Sequence, residues 1–150
     1  MTQATPRERV RATFRRECTD RVPVYPILGC ITGKLKGYSI REFLTDARKF
    51  ADSHISAYET LGQDVVTLTC DTLLEAEAIG NTLEFPDNNV CFTVKCALEQ
   101  KAHLAGLQVT DPYNDGRMPY YLEVCQLVSQ TIRDAPVEGS TRGPWTIAAN

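Results

Sequence analysis

Asp71 closes the run Asp64-Val65-Val66-Thr67-Leu68-Thr69-Cys70-Asp71, and a carboxylate ending an otherwise apolar strand is the sharpest chemical signal in this chain. Burying such a group is costly unless it caps a helix, pairs with a cation or meets a ligand. The residues alone leave two readings open. Asp71 either accepts the Leu73 or Leu74 amide at the start of a helix, or serves a site as its catalytic carboxylate. Cys70, and Cys30 within Gly29-Cys30-Ile31-Thr32-Gly33, have the chemistry of ligands or nucleophiles. Cysteine is also a common small buried hydrophobe, which is the better reading for both. The third candidate is Gly143-Pro144-Trp145-Thr146. Metal binding needs several Cys or His at characteristic spacing, and no such cluster stands here, so no metal site is expected. His54 lies within a helical pattern and His103 near another, and both read as structural or exposed. A phosphate-cradling glycine motif is absent, which leaves nucleotide chemistry without support.

The elements that must position these residues follow from pattern. Thr5-Pro6-Arg7-Glu8 offers an N-cap, a first-turn proline and a first-turn acid, which predicts a short helix over 6–17. Its arginines, interleaved with Glu8, Glu17 and Asp20, read as a solvated face. Residues 22–28 form an extended apolar run whose prolines forbid a helix, so a first strand is expected after Pro23. Residues 29–38 read as a glycine-punctuated loop, and Ser39-Ile40-Arg41-Glu42-Phe43 as a short capped turn of helix. The clearest helix runs from Asp46, as cap, to Leu61, with Gly62 ending it. Residues 64–71 are rich in β-branched residues and read as a buried strand.

A short helical segment is expected over 72–78, a hairpin over 81–94 broken at Pro86-Asp87-Asn88-Asn89, and a short helix over 98–104. A second amphipathic helix is expected over 119–135, with Tyr121, Val124, Cys125, Val128 and Ile132 on its apolar face. A third strand then leads to Gly143-Pro144, and Ile147-Ala148-Ala149 begins an apolar helical turn. Helices between strands imply parallel strands joined by crossovers. The expected fold is α/β: the N-terminal part of a (β/α)8 barrel, with about three parallel core strands and a small hairpin insertion. A whole barrel typically needs about 250 residues, so the 150 present read as a single incomplete domain. In such folds ligands sit at the carboxyl ends of strands, which is where Gly29-Cys30, Cys70-Asp71 and Gly143-Thr146 fall.

Composition narrows the function classes. A net charge of −3 argues against a nucleic-acid binder. No apolar run is long enough to span a membrane, and the N-terminus lacks a signal core. Six cysteines without a Cys-x-x-Cys pair read as reduced thiols in the cytoplasm.

Taken in order, the segments resemble the uroporphyrinogen decarboxylase family, which includes the porphyrin-biosynthesis decarboxylase, a lyase, and methyltransferases acting between corrinoid proteins and thiols such as coenzyme M. The matching pieces are Arg7-Glu8-Arg9-Val10, Asp20-Arg21-Val22-Pro23-Val24, Tyr58-Glu59-Thr60-Leu61-Gly62-Gln63-Asp64, Cys70-Asp71-Thr72-Leu73, Glu77-Ala78-Ile79-Gly80 and Gly143-Pro144-Trp145-Thr146-Ile147-Ala148. The resemblance implies a (β/α)8 barrel more than twice this length. It also implies a substrate-binding role for Gly29, Cys30, Gly143, Pro144, Trp145, Thr146 and Asn150, and a catalytic one for Asp71.

The resemblance also separates the branches. Decarboxylases carry Arg-Gln-Ala-Gly-Arg-Tyr after the first strand, with arginines that hold substrate carboxylates, whereas this chain has Gly29-Cys30-Ile31-Thr32-Gly33-Lys34 there and no arginine from Gly29 until Arg41. Asp71 matches the decarboxylase aspartate that organises pyrrole N–H groups, while the tyrosine after Pro-Trp-Thr falls at Asn150. The methyltransferase branch is therefore implied, with a corrinoid protein as partner. The zinc ion of that branch, held by a His-x-Cys motif and a later Cys, would have its ligands beyond Asn150. The alternatives are a uroporphyrinogen decarboxylase or a non-catalytic tetrapyrrole-binding assembly module. Open barrel edges predict a homo-oligomer.

Overall fold

The computed structural model describes residues 4–150. Thr5 opens α1 (Pro6–Phe14) with a capping box, its hydroxyl accepting the Glu8 amide while the Glu8 carboxylate accepts the Thr5 amide. The helix is shorter than its pattern suggests, ending at Phe14. One of its arginines overturns the reading of a solvated face. Arg9 is 2% exposed and is held by Asp20 and Asp64. Its buried charge is compensated by two carboxylates, one of them 55 residues away.

Residues 22–28 are extended but join no ladder among the described residues, so the expected first strand is not formed. Pro23 and Pro26 have no amide to donate. Asp64 ties the segment at its middle instead: Val24 donates its amide to Asp64 Oδ2 and its carbonyl accepts the Asp64 amide at 2.8 Å. The expected loop at 29–38 is also corrected, because a helical turn, α2 (Ile31–Leu35), forms inside it. Thr32 donates to the Gly29 carbonyl at 2.9 Å. Gly33 lets the turn approach α3, since a Cβ there would lie 2.9 Å from Phe43 Cδ2.

Ser39 and Glu42 form a second capping box that starts α3 (Ile40–Thr45). Asp46 then accepts the Arg48 and Lys49 amides to start α4 (Ala47–Leu61), and Gly62 ends it at φ +63°. The next strand, β1 (Val66–Leu68), is a buried core of the longer run expected over 64–71. It leads to α5 (Leu74–Ile79), then β2 (Thr82–Glu84) and β3 (Phe92–Lys95), which pair antiparallel. A 3-10 turn at Lys101–Gly106 replaces the helix expected over 98–104. Then come α6 (Met118–Thr131), β4 (Val137–Gly139) and α7 (Pro144–Ala149). The Gly143-Pro144-Trp145-Thr146 loop is thus itself a helix start, with Pro144 in the first turn, where its missing amide costs nothing.

Strands β1 and β4 are parallel, with Val66, Thr67 and Leu68 opposite Val137, Glu138 and Gly139. The expected α4 crossover between paired strands is corrected. Helix α4 leads from the unpaired 22–28 segment into β1, whereas the β1–β4 connection carries α5, the hairpin and α6. The core lies on the helix side of this sheet, where Val66 and Leu68 pack with Phe43, Leu44 and Phe50 and with Val124 and Val128 of α6. Phe43 and Phe50 meet edge-on with centroids 4.3 Å apart. Tyr120 and Tyr121 lock α6 in place by donating to the carbonyls of Phe43 and Leu68.

Candidate functional site

The carboxyl end of β1 turns at Cys70-Asp71, and Asp71 becomes the hub of a buried polar cluster with its side chain only 5% exposed. Its Oδ1 accepts the Leu73 amide at 2.7 Å, one of the two arrangements the sequence allows. Its Oδ2 accepts from Arg117 Nη1 at 2.9 Å and from the Cys70 thiol at 3.4 Å. Asp71 is therefore both a turn acceptor and half of an ion pair. Burial works against its ionised form, but the Arg117 charge and hydrogen bond outweigh it, and the carboxyl lies below the usual carboxylate range.

Arg117 is the member of this cluster that pattern reading missed. It precedes α6 and reaches α5, where Nε donates to Glu77 Oε2 at 2.6 Å, and α3, where Nη1 donates to the Leu44 carbonyl at 3.1 Å. Its guanidinium also covers the Phe85 ring at 4.6 Å. Gly116 permits this placement. It adopts φ +53°, and a Cβ there would come 2.9 Å from the Ala78 amide nitrogen, so the loop runs against the end of α5. The Asp115-Gly116 pair was the available sequence signal, since such a dipeptide marks a tight turn.

Arg142, after β4, approaches the same corner from the other side. Its Nε and Nη2 donate to the Asp71 carbonyl at 3.3 and 3.0 Å. Its amide and the Thr141 hydroxyl both donate to Glu75 Oε1 at 2.8 Å. Nothing in the local pattern marked it.

Thiols crowd the cluster and are poor nucleophiles there. Burial, then the Asp71 charge, raises Cys70 well above the ordinary thiol range and pushes Cys91 up to about 12. The same causes, in the same order, raise Cys30. A thiol needs a lowered pKa to react as thiolate at neutral pH. Cys30 stands as the residue before α2, and Gly29 at φ +51° makes the turn into it.

The other sequence candidates are only partly gathered here. Asn150 reaches the corner, donating through Nδ2 to the Thr72 carbonyl at 3.0 Å, and its carbonyl accepts from Asn81 Nδ2 at 3.1 Å. Gly143 and Pro144 begin α7 beside Arg142, while Trp145 is 87% exposed and Thr146 lies on the surface. Among the described residues, no group of three or more His, Cys, Asp and Glu could hold a metal ion. Nor is any helix among them long and apolar enough to cross a membrane.

A parallel strand pair whose carboxyl ends carry the buried polar cluster suits ligand binding at that rim. The family model for uroporphyrinogen decarboxylase matches residues 5–150. The chain belongs to the uroporphyrinogen decarboxylase family. It is 27% identical over 156 aligned residues to the methylcobamide:CoM methyltransferase MtbA of Methanosarcina acetivorans, an alignment spanning 99% of this chain and 45% of MtbA. It also superposes on a methyltransferase from Methanosarcina mazei with a TM-score of 0.80 at 23% identity, over 98% of this chain and 45% of that one. The second likeness is one of fold. The chain spans about half the length of both proteins.

Proposed function

We propose that these residues are the N-terminal part of a (β/α)8-barrel methyltransferase that moves a methyl group between a corrinoid and a thiol. The observation that carries this reading is the 27% identity to a methylcobamide:CoM methyltransferase along 99% of the chain. The first loop supports it. Where decarboxylases place substrate-binding arginines, residues 29–35 make the turn into α2 and carry no guanidinium. The buried Arg117 is already committed to Asp71 and Glu77. A polycarboxylate seated here would leave its charges without partners, a cost of several kcal/mol for each buried ion.

In this reading the corrinoid, carried by a partner protein, supplies the methyl group that the thiol receives. This chain's own residues build one side of the site. Asp71 stays ionised and acts as a fixed acceptor at the carboxyl end of β1, with lone-pair capacity left on Oδ1 for a ligand donor. Gly29 and Cys30 would contribute from the turn into α2, and Asn150 from the end of α7, where it donates to the Thr72 carbonyl. Gly143, Pro144 and Thr146 would contribute from the start of α7, and the exposed Trp145 offers a flat apolar face suited to a macrocycle. The described residues do not fit a zinc site, and its ligands would come from the rest of the barrel. Six free thiols suit a reducing cytoplasm.

Equilibrium binding to the full-length protein tests the reading. Methylcobalamin should bind and uroporphyrin should not. Binding of uroporphyrin alone would support the decarboxylase branch instead.

A further inference from the structure

We propose that Arg117 and Arg142 are positioning residues that clamp the Cys70–Asp71 corner from two sides, Arg117 through the carboxylate and Arg142 through the main-chain carbonyl. The two arginines come from separate segments, the loop before α6 and the segment after β4, and converge on one residue beyond β1's carboxyl end. Each is tied to a different acid of α5. Glu77 holds the Arg117 guanidinium, and Glu75 accepts the amide of Arg142 together with the Thr141 hydroxyl. Thus β1, α5, α6 and β4 are joined at a single point, and the rim between β1 and β4 moves as one piece.

The chemistry of guanidinium explains the choice of residue. Arg142 places two donors of one planar fork on a single carbonyl, and Arg117 spends separate nitrogens on Glu77 and on Asp71 with Leu44. A lysine ammonium at either position cannot reproduce these paired directions. Arg117 Nε and Nη1 are spent within the cluster and the Nε/Nη2 side of Arg142 is spent on the Asp71 carbonyl, so both serve Asp71. Their effect on catalysis rests on the methyltransferase reading above. Their effect on the corner does not.

The test uses the full-length protein with Arg142→Gln and Arg142→Lys, because Arg142 is half-exposed and its loss leaves the buried Arg117–Asp71 pair in place. Hydrogen exchange over residues 71–75, which include the Leu73 amide held by Asp71, should quicken about tenfold in Arg142→Gln, the loss expected for a charge-assisted hydrogen bond. Arg142→Lys should restore part of the protection. In methyl transfer, kcat should fall while KM for the thiol stays unchanged.

Unaltered exchange over 71–75, or an increase spread equally over α1 and α4, would overturn the clamp. Local quickening with unchanged kcat would overturn its catalytic role. Wild-type protein that transfers no methyl group would instead refute the methyltransferase reading, and the exchange arm would still decide the clamp.

Discussion

Replacing Asp71 by Asn separates its two structural roles, because the amide oxygen can still accept the Leu73 N–H while the negative charge facing Arg117 is lost. Side chains at 5% and 10% exposure make Asp71–Arg117 a buried pair. Breaking such a pair by removing one partner costs about 3–5 kcal/mol. Glu77 remains 2.6 Å from Arg117 Nε and keeps part of the compensation, which brings the loss below that range, to about 2–3 kcal/mol. The ionised carboxyl has its pKa lowered in the folded protein, so its contribution is present in full above the unfolded value near 4 and is lost as pH falls through the folded value. Urea denaturation of Asp71→Asn, Arg117→Met and the double variant at neutral pH should therefore give a coupling energy above about 1 kcal/mol. A loss under about 0.5 kcal/mol for Asp71→Asn with no coupling would refute the argument and reduce Asp71 to a turn acceptor.

Two other outcomes follow from burial. His54 is buried and its ring is pulled down to about 4 by desolvation, so its contribution to stability is complete above about 6.5 and falls as pH drops towards 4, by roughly 3 kcal/mol in total. His54→Gln should flatten urea midpoints across that window, and an unchanged slope would show that another group titrates. The cleft lined by Val10, Phe14, Val22, Tyr25 and Val65 leaves large apolar side chains in solvent, Phe14 at 84% and Val22 at 83% exposure. The 150-residue chain on its own should therefore dimerise at micromolar concentration. Light scattering reports this directly, and a stable monomer would contradict it.

What could be read from sequence divides by the range of the forces involved. Helix α4 was legible almost to the residue because its signals are local: Asp46 accepts two amides and Gly62 takes the left-handed turn. The same holds for the capping boxes at Thr5 and Ser39. The segment after Pro23 was misread as a paired strand, because extended backbone and ladder pairing share a residue pattern while the prolines remove the donors that pairing needs. Arg9 reads as a surface residue in sequence because its carboxylate partner Asp64 is 55 positions away. Asp71 could be flagged from its place at a strand end, but not its partners. Arg117 lies 46 residues further along and Arg142 reaches it from 71 residues away. Short-range caps write themselves into neighbouring residues, whereas a polar cluster assembled by parallel strands does not.

Turnover by the full-length protein tests the central claim most directly, with methylcobalamin plus a thiol and uroporphyrinogen offered in parallel. The account predicts thiol methylation with loss of the methylcobalamin spectrum, and no release of carbon dioxide from uroporphyrinogen. Decarboxylation of uroporphyrinogen without methyl transfer would contradict it.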